Sequence, residues 1–436
     1  MRFLSKIRER QFAKKRGGAY NLSRAVLAGV LAAGCLMPGF AEAAPAPALV
    51  TKLDHYITDN DNLITVDRTE GENTATITAV NGNVGDKIDI SWMPGAGETS
   101  VEGCTINVNS ITIEPEIHIY GGEGTTAAKG NSVSISGGTF KNIVGGYASS
   151  GTAEGNSVEI NGGTFNANVY GGQGTTAANR NSVIINAGTI NSLICGGDGY
   201  TAEGNSVEIN GGTINAEVSG GFSQYGKANN NKVSISGGEF YYNVYGGYGA
   251  TAANGNSVEI NGGTINSYVF GGFSESGTAE GNSVEISGGT INDDVRVWGG
   301  WAESNSGNAN GNSVSISGGT FNGNVRVWGG LSQSGTANKN RVIISGGKFY
   351  NRVYGGEGEK AADENRVIIS GGKFSRCWVY GGYSLNGTAN RNQVIISDGT
   401  FDGNVVGGSS TKEAKDNKIV LLGNNASYTF TNAHVR

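Results

Sequence analysis

Twelve asparagines return at an almost fixed interval, and no other feature restricts the fold of this chain so tightly. The anchors are Asn131, Asn156, Asn181, Asn205, Asn231, Asn256, Asn282, Asn312, Asn340, Asn365, Asn392 and Asn417, spaced 25, 25, 24, 26, 25, 26, 30, 28, 25, 27 and 25 residues apart. Each opens a variant of one phrase: Asn-x-Val-x-Ile-x-Gly-Gly-Thr-Phe/Ile, a few polar residues, Val-Tyr-Gly-Gly, a polar loop, and an alanine three residues before the next anchor. A half-copy, Ile119-Tyr120-Gly121-Gly122, precedes the first anchor. Self-similarity at such a period means a stack of structural repeats.

Apolar residues within a copy alternate. In Asn156–Ile160, Val158 and Ile160 share one side and Ser157 and Glu159 the other, the period-2 mark of a strand with one buried face. Gly162-Gly163 then turns the chain, because glycine accepts positive φ, and Gly171-Gly172 is read as a second corner after the inward Phe165 and Val169. Helical spacing is absent. One copy alone buries too little apolar surface to offset its ordering entropy, whereas stacked copies gain ladder hydrogen bonds above and below. The expected fold is therefore all-β, a right-handed parallel β-helix of about twelve ~25-residue coils at ~4.8 Å per coil. The anchors are expected to form an amide ladder, and the alanines a tight inward corner. Four segments follow: 1–43 as a leader, 44–118 as a β-rich cap, 119–423 as the repeats, and 424–436 as a short incomplete end.

The leader has the order of a secretory signal. Eight Lys/Arg and two Asp/Glu fall in residues 1–43, an apolar run follows from Ala25 to about Met37, and Ala41-Glu42-Ala43 offers a small-x-small cleavage site. The apolar run is too short for a transmembrane helix, and no other segment is long and apolar enough for one. Removing it leaves 31 − 8 = 23 basic and 37 − 2 = 35 acidic side chains, a net charge of −12. Such a surface repels a phosphate backbone, which argues against nucleic-acid binding. Glycine supplies 75 of 436 residues without a G-X-Y period, excluding collagen. Cys35 lies in the leader and could also mark a lipoprotein box; Cys104, Cys195 and Cys377 are expected to be unpaired.

The Asn-Val-Tyr-Gly-Gly…Asn-Ser-Val-Glu-Ile-Ser-Gly-Gly-Thr pattern behind a long basic signal resembles the passenger region of Gram-negative autotransporters, over roughly residues 1–45 and 119–423. That resemblance implies an exported β-helix at the cell surface or outside the cell, adhesin-like in role. Autotransporters end in a membrane β-barrel that needs well over ~200 residues. None follows Arg436, so the resemblance also raises a truncated or split gene product, or release by another route.

A β-helix also suggests polysaccharide lyases and hydrolases, which need paired carboxylates or a carboxylate-bound Ca²⁺ with a basic residue nearby. The one acidic pair in the array is Asp293-Asp294, with Arg296 two residues on and Arg326 in the next coil; a solvated loop is the simpler reading. Glu159, Glu208, Glu259 and Glu285 share one outward strand position and read as a solubilising face. His55, His118 and His434 are dispersed, which leaves no histidine-based triad or zinc site, and no catalytic residue, cofactor or metal is expected. The suggestive surface is aromatic: Tyr170, Tyr245, Phe270, Trp298, Trp328, Tyr354 and Tyr380 stand just before the second Gly-Gly, and Trp301 just after it. Because the preceding valine points inward, these rings point outward. They form either a stabilising ladder or a flat stripe for glycans or a host surface.

Overall fold

The anchor segments form strands because their β-branched residues can all be buried on one side. In Ser157–Ile160, Val158 and Ile160 are buried and Glu159 is exposed, and the pattern repeats along the chain. The computed structural model describes residues 48–53, 64–68, 73–80, 87–94, 97–109, 116–304, 307–423 and 428–430, and every regular element among them is a strand. The leader, Cys35, His55 and His434 lie outside the described residues.

Three parallel ladders build the solenoid. The first stacks thirteen anchor strands, from Thr105–Val108 to Lys418–Leu421. Register is strict: Val133 lies beside Val158, Val158 beside Val183, and Val183 beside Val207. The second stacks two-residue strands such as Thr139–Phe140 and Thr164–Phe165, where Phe140 and Phe165 rings lie 5.4 Å apart. The third stacks the glycine strands, such as Val244–Gly249 on Val269–Ser274. Val158, Ile160, Phe165 and Val169 are at most 1% exposed, and their counterparts fill one apolar shaft from Ala75 to Val405. The parallel β-solenoid expected from the repeat is the fold observed.

The two glycine pairs do different jobs. Gly163 has φ +106°, as a turn requires. The second pair is no corner. It sits inside a strand, and a Cβ on Gly171 would come within 2.5 Å of Gly196 O, while one on Gly172 would meet Asn181 Oδ1 at 2.3 Å. Glycine is needed there for close approach: the strand presses directly on the anchor asparagines.

Those asparagines form the expected ladder, with more bonds than side-chain stacking alone provides. Asn156 donates from both its backbone N–H and its Nδ2 to Asn181 Oδ1 at 2.9 Å, and Nδ2 also donates to Ala128 O at 2.9 Å. The alanine three residues before an anchor is thus a buried corner whose carbonyl receives an anchor amide from the next coil.

The coil register begins earlier than residue 119. Thr105–Val108 pairs in parallel with Ser132–Ile135 on one side and Thr74–Ile77 on the other, and Lys87–Met93 pairs in parallel with Glu116–Tyr120. Cys104 occupies the anchor position of this earlier coil, and its N–H donates to Asn131 Oδ1 at 3.0 Å. Only two antiparallel pairings among the described residues, Ala48–Leu53 with Lys87–Met93 and Ile64–Arg68 with Thr74–Val80, depart from coil geometry. At the other end, Tyr428–Phe430 pairs with Gly399–Phe401, placing the Phe430 ring 5.2 Å from Phe401. The array therefore runs past residue 423.

Candidate functional site

The glycine strand decides where the aromatics go. Val244 fills the shaft, Gly246 and Gly247 press on the neighbouring coil and the anchor ladder, and Tyr245 and Tyr248 are left on the far side. Parallel register then stacks each ring over its counterpart. Tyr245, Phe270, Trp298, Trp328, Tyr354 and Tyr380 make one continuous pile with successive centroids 4.8, 4.7, 5.1, 5.5 and 5.1 Å apart and interplanar angles of 9, 4, 14, 13 and 9°. A second column, offset past the glycines, contains Phe222, Tyr248, Phe273 and Trp301, and Trp301 lies 5.0 Å from Trp298.

The rings face away from the shaft, as expected, but they do not form an exposed stripe. Tyr170, Tyr245, Phe270, Trp298, Trp328, Tyr354 and Tyr380 are only 1–8% exposed. Each ring face is covered by the next coil and one edge by the second column. Tyr170 is separated from the main pile, in a smaller cluster with Val144 and Cys195. Of the eight rings, only Trp301 reaches solvent appreciably. The pile is a second core.

Its open border is a third column, formed by the residue before each inward valine. Tyr268, Arg296, Arg326, Arg352 and Trp378 follow one another there on successive coils. Arg296 and Arg326 are direct register partners, and Arg352 precedes Val353, the partner of Val327. The Arg296 guanidinium lies 5.3 Å from the Tyr268 ring centroid, a cation–π contact. Arg326 donates to Asn351 Oδ1 from Nε and Nη2 at 3.0 and 3.2 Å. Arg352 donates to Tyr354 Oη at 3.0 Å. None of the three belongs to an ion pair among the described residues.

One carboxylate borders this column. Glu357 takes the second-column position and accepts a bond from Trp328 Nε1 at 2.7 Å. Burial pushes its carboxyl above the usual range, against the opposing pull of the Trp328 hydrogen bond and the Arg352 charge. Burial, and then the Glu357 charge, likewise raise the Tyr354 phenol. Leu331 and Trp301 hold the same position in the two preceding coils, and Trp298 Nε1 and Trp301 Nε1 are buried without an acceptor.

Elsewhere the sequence candidates stay apart. Asp293 and Asp294 are exposed, and Asp293 Oδ1 accepts from the Asn324 backbone N–H at 2.5 Å, tying a loop. Glu159, Glu208 and Glu285 are exposed and Glu259 is half-buried, paired with Lys232 at 2.7 Å. His118 is buried, with Asn142 Nδ2 3.1 Å from its Nδ1. Cys104, Cys195 and Cys377 are unpaired and buried, and burial pushes the Cys104 thiol up to about 12. Among the described residues no group of three or more His, Cys, Asp or Glu is placed to hold a metal ion.

Trp378, Arg352 and Glu357 were not singled out by sequence. The signal was present in Arg-Val-Trp-Gly-Gly, Arg-Val-Trp-Gly-Gly and Arg-Val-Tyr-Gly-Gly, three successive copies with arginine at one position. The fold and this face define a parallel β-solenoid with a lateral aromatic–arginine border. Compared with known protein families, curated proteins and solved structures, the chain matches none of them.

Proposed function

We propose that this chain is an exported, non-enzymatic β-solenoid, an adhesin-like passenger of autotransporter type, that binds glycans or other cell-surface components along its lateral face. One observation carries the reading. The border beside the aromatic pile places Tyr268, three arginines and the 43%-exposed Trp378 in a straight row at the coil repeat. A row at ~4.8 Å intervals suits an extended polymer lying along the axis, with rings to stack on sugar faces and guanidiniums to bond their oxygens.

The burial of the pile fixes which residues test this. Trp298 and Trp328 are core, so changing them breaks the fold before it reports on binding. Trp301 and Trp378 reach solvent. A Trp301→Ser/Trp378→Ser variant with unchanged circular dichroism is expected to lose most glycan-array and cell-surface binding. Binding equal to that of the parent protein would remove the lateral face from consideration. Export belongs to the same reading, and amino-terminal sequencing of secreted protein is expected to begin near Ala44.

A further inference from the structure

Like charges directly opposite one another on a ladder are destabilising, yet Arg296, Arg326 and Arg352 stand at one position of three successive coils. Within the chain their compensation is slight: an aromatic face for Arg296, an amide oxygen for Arg326, and a phenol oxygen with the nearby Glu357 for Arg352. Arginine offers five donors in a planar fork shaped for carboxylates and sulfates. Arg296 and Arg326 are half-buried, so neither a full water shell nor an acidic side chain meets that demand. The molecule as a whole is acidic, with a net charge of −6, and two other pairs of basic register partners, Arg341 with Arg366 and Lys348 with Lys373, lie on other ladders, away from the aromatic pile.

Glu357 shows what an acid does on this face. In its own coil it accepts the Trp328 indole N–H and lies in the field of Arg352. One and two coils earlier the corresponding places hold Leu331 and Trp301, and there Arg326 and Arg296 lack any such group. The Trp298 and Trp301 indole nitrogens of the same stretch also lack an acceptor, but they are buried beneath the border, and of these donors only the arginines face an outside ligand. What Arg296 and Arg326 lack on this face is a carboxylate, their partners being a ring face and an amide oxygen.

We propose that the Arg296–Arg326–Arg352 row is a binding site for acidic polysaccharides, with successive guanidiniums engaging carboxylate or sulfate groups along one chain laid parallel to the solenoid axis. This rests on the lateral-face reading above and narrows its ligand class to polyanionic glycans. The row is short, so an oligosaccharide of a few charged sugars fills it.

The test uses the full chain and four probes: polygalacturonate, its fully methyl-esterified form, dextran sulfate and neutral dextran. Polygalacturonate or dextran sulfate is expected to bind, with affinity falling as salt rises, while the methyl ester and dextran bind about tenfold or more weakly. Whichever acidic polymer binds distinguishes carboxylate from sulfate recognition. The Arg296→Gln/Arg326→Gln variant is expected to lose about tenfold in affinity for that polymer. Its melting temperature in the absence of glycan should hold or rise, since a like-charge contact is removed; a merely structural pair would lower it. Equal binding of acidic and neutral forms, or unchanged acidic binding by the double variant, overturns the proposal while leaving a neutral-glycan surface standing. Absence of binding to all four probes overturns it too, and broader failure on glycan arrays and cells would take the lateral-face reading with it.

Discussion

Asn256 illustrates how much of the stability resides in one side chain. Its Oδ1 accepts from the Asn231 backbone N–H and Nδ2 at 2.9 and 3.0 Å, and its own Nδ2 donates to Ala228 O at 2.9 Å and Asn282 Oδ1 at 3.1 Å. It is 1% exposed, so water cannot replace a lost partner. Asn256→Ala leaves the buried Asn231 backbone N–H without this acceptor and removes one of the two bonds of Asn231 Nδ2, which keeps Ala202 O. At about 1–3 kcal/mol per lost buried bond, it is expected to destabilise by about 3 kcal/mol in urea unfolding. A value under about 1 kcal/mol would mean that the ladder is ornamental. Glu357 gives a prediction with a sign. Its carboxyl is raised, so the folded state prefers the protonated form, and its contribution is greatest below the unfolded value and is lost as pH climbs through the folded one. Glutamine can still accept the Trp328 N–H without charge. Glu357→Gln is therefore expected to match the parent melting temperature near pH 4 and exceed it at pH 7. The reverse order would show that Arg352 outweighs desolvation.

At the scale of the coil, the residue before each anchor shows what was legible in sequence and what was not. Six coils have glycine there: Gly130, Gly155, Gly204, Gly255, Gly281 and Gly311, all with φ between +59 and +67°. In the other six, Arg180, Asn230, Lys339, Glu364, Arg391 and Asp416 hold the same left-handed conformation, with φ between +54 and +60°. The chemical mixture concealed a uniform backbone position, because the stacked ladder imposes the conformation whatever the side chain. Lys339→Gly relieves about 1–2 kcal/mol of left-handed strain and returns about 0.5–1 in unfolded-chain entropy. A net stabilisation of about 0.5–1 kcal/mol is expected by urea titration, against little change for Asn230→Gly, since asparagine tolerates this region. The inward Val/Ile/Phe positions and the anchor ladder were legible because period-2 alternation and strict recurrence each have one geometric solution. The second glycine pair was misread as a corner, since close approach and positive φ leave the same letter in the sequence. Burial of the aromatic pile was hidden for another reason: a ring pointing away from one core can be covered by its own neighbours, which alternation within one strand does not report.

At the scale of the whole array, the chain's behaviour follows from its near one-dimensional contacts. Each coil touches those directly above and below, so stability is close to a sum of coil and interface terms. The early coil at Cys104 escaped sequence reading because the asparagine and the glycine phrase are missing there, although Thr105–Val108 keeps register on both sides. Register, and not the motif, is what the array requires. Excising residues 232–256 tests this directly. The cut joins Asn231 to Ser257 and removes one whole 25-residue turn. Phase is preserved across the junction, because Val207 then meets Val258, a pairing equivalent to the native Val207 with Val233. The glycine strands also remain matched, with Val218 meeting Val269 in place of Val244. The shortened chain is expected to unfold cooperatively with an unchanged β-type circular dichroism spectrum and an m-value lower by about one-thirteenth, since m follows the surface exposed on unfolding. Excising residues 232–243 instead removes the anchor strand and short strand while retaining the glycine strand, so the three ladders fall out of phase across the cut. That variant is expected to lose the single cooperative transition, because the shaft and the aromatic pile can no longer both continue through the junction. Equal stability of the two deletions would show that coils tolerate slippage, and the in-register alignment of the arginine row would then have no structural cause.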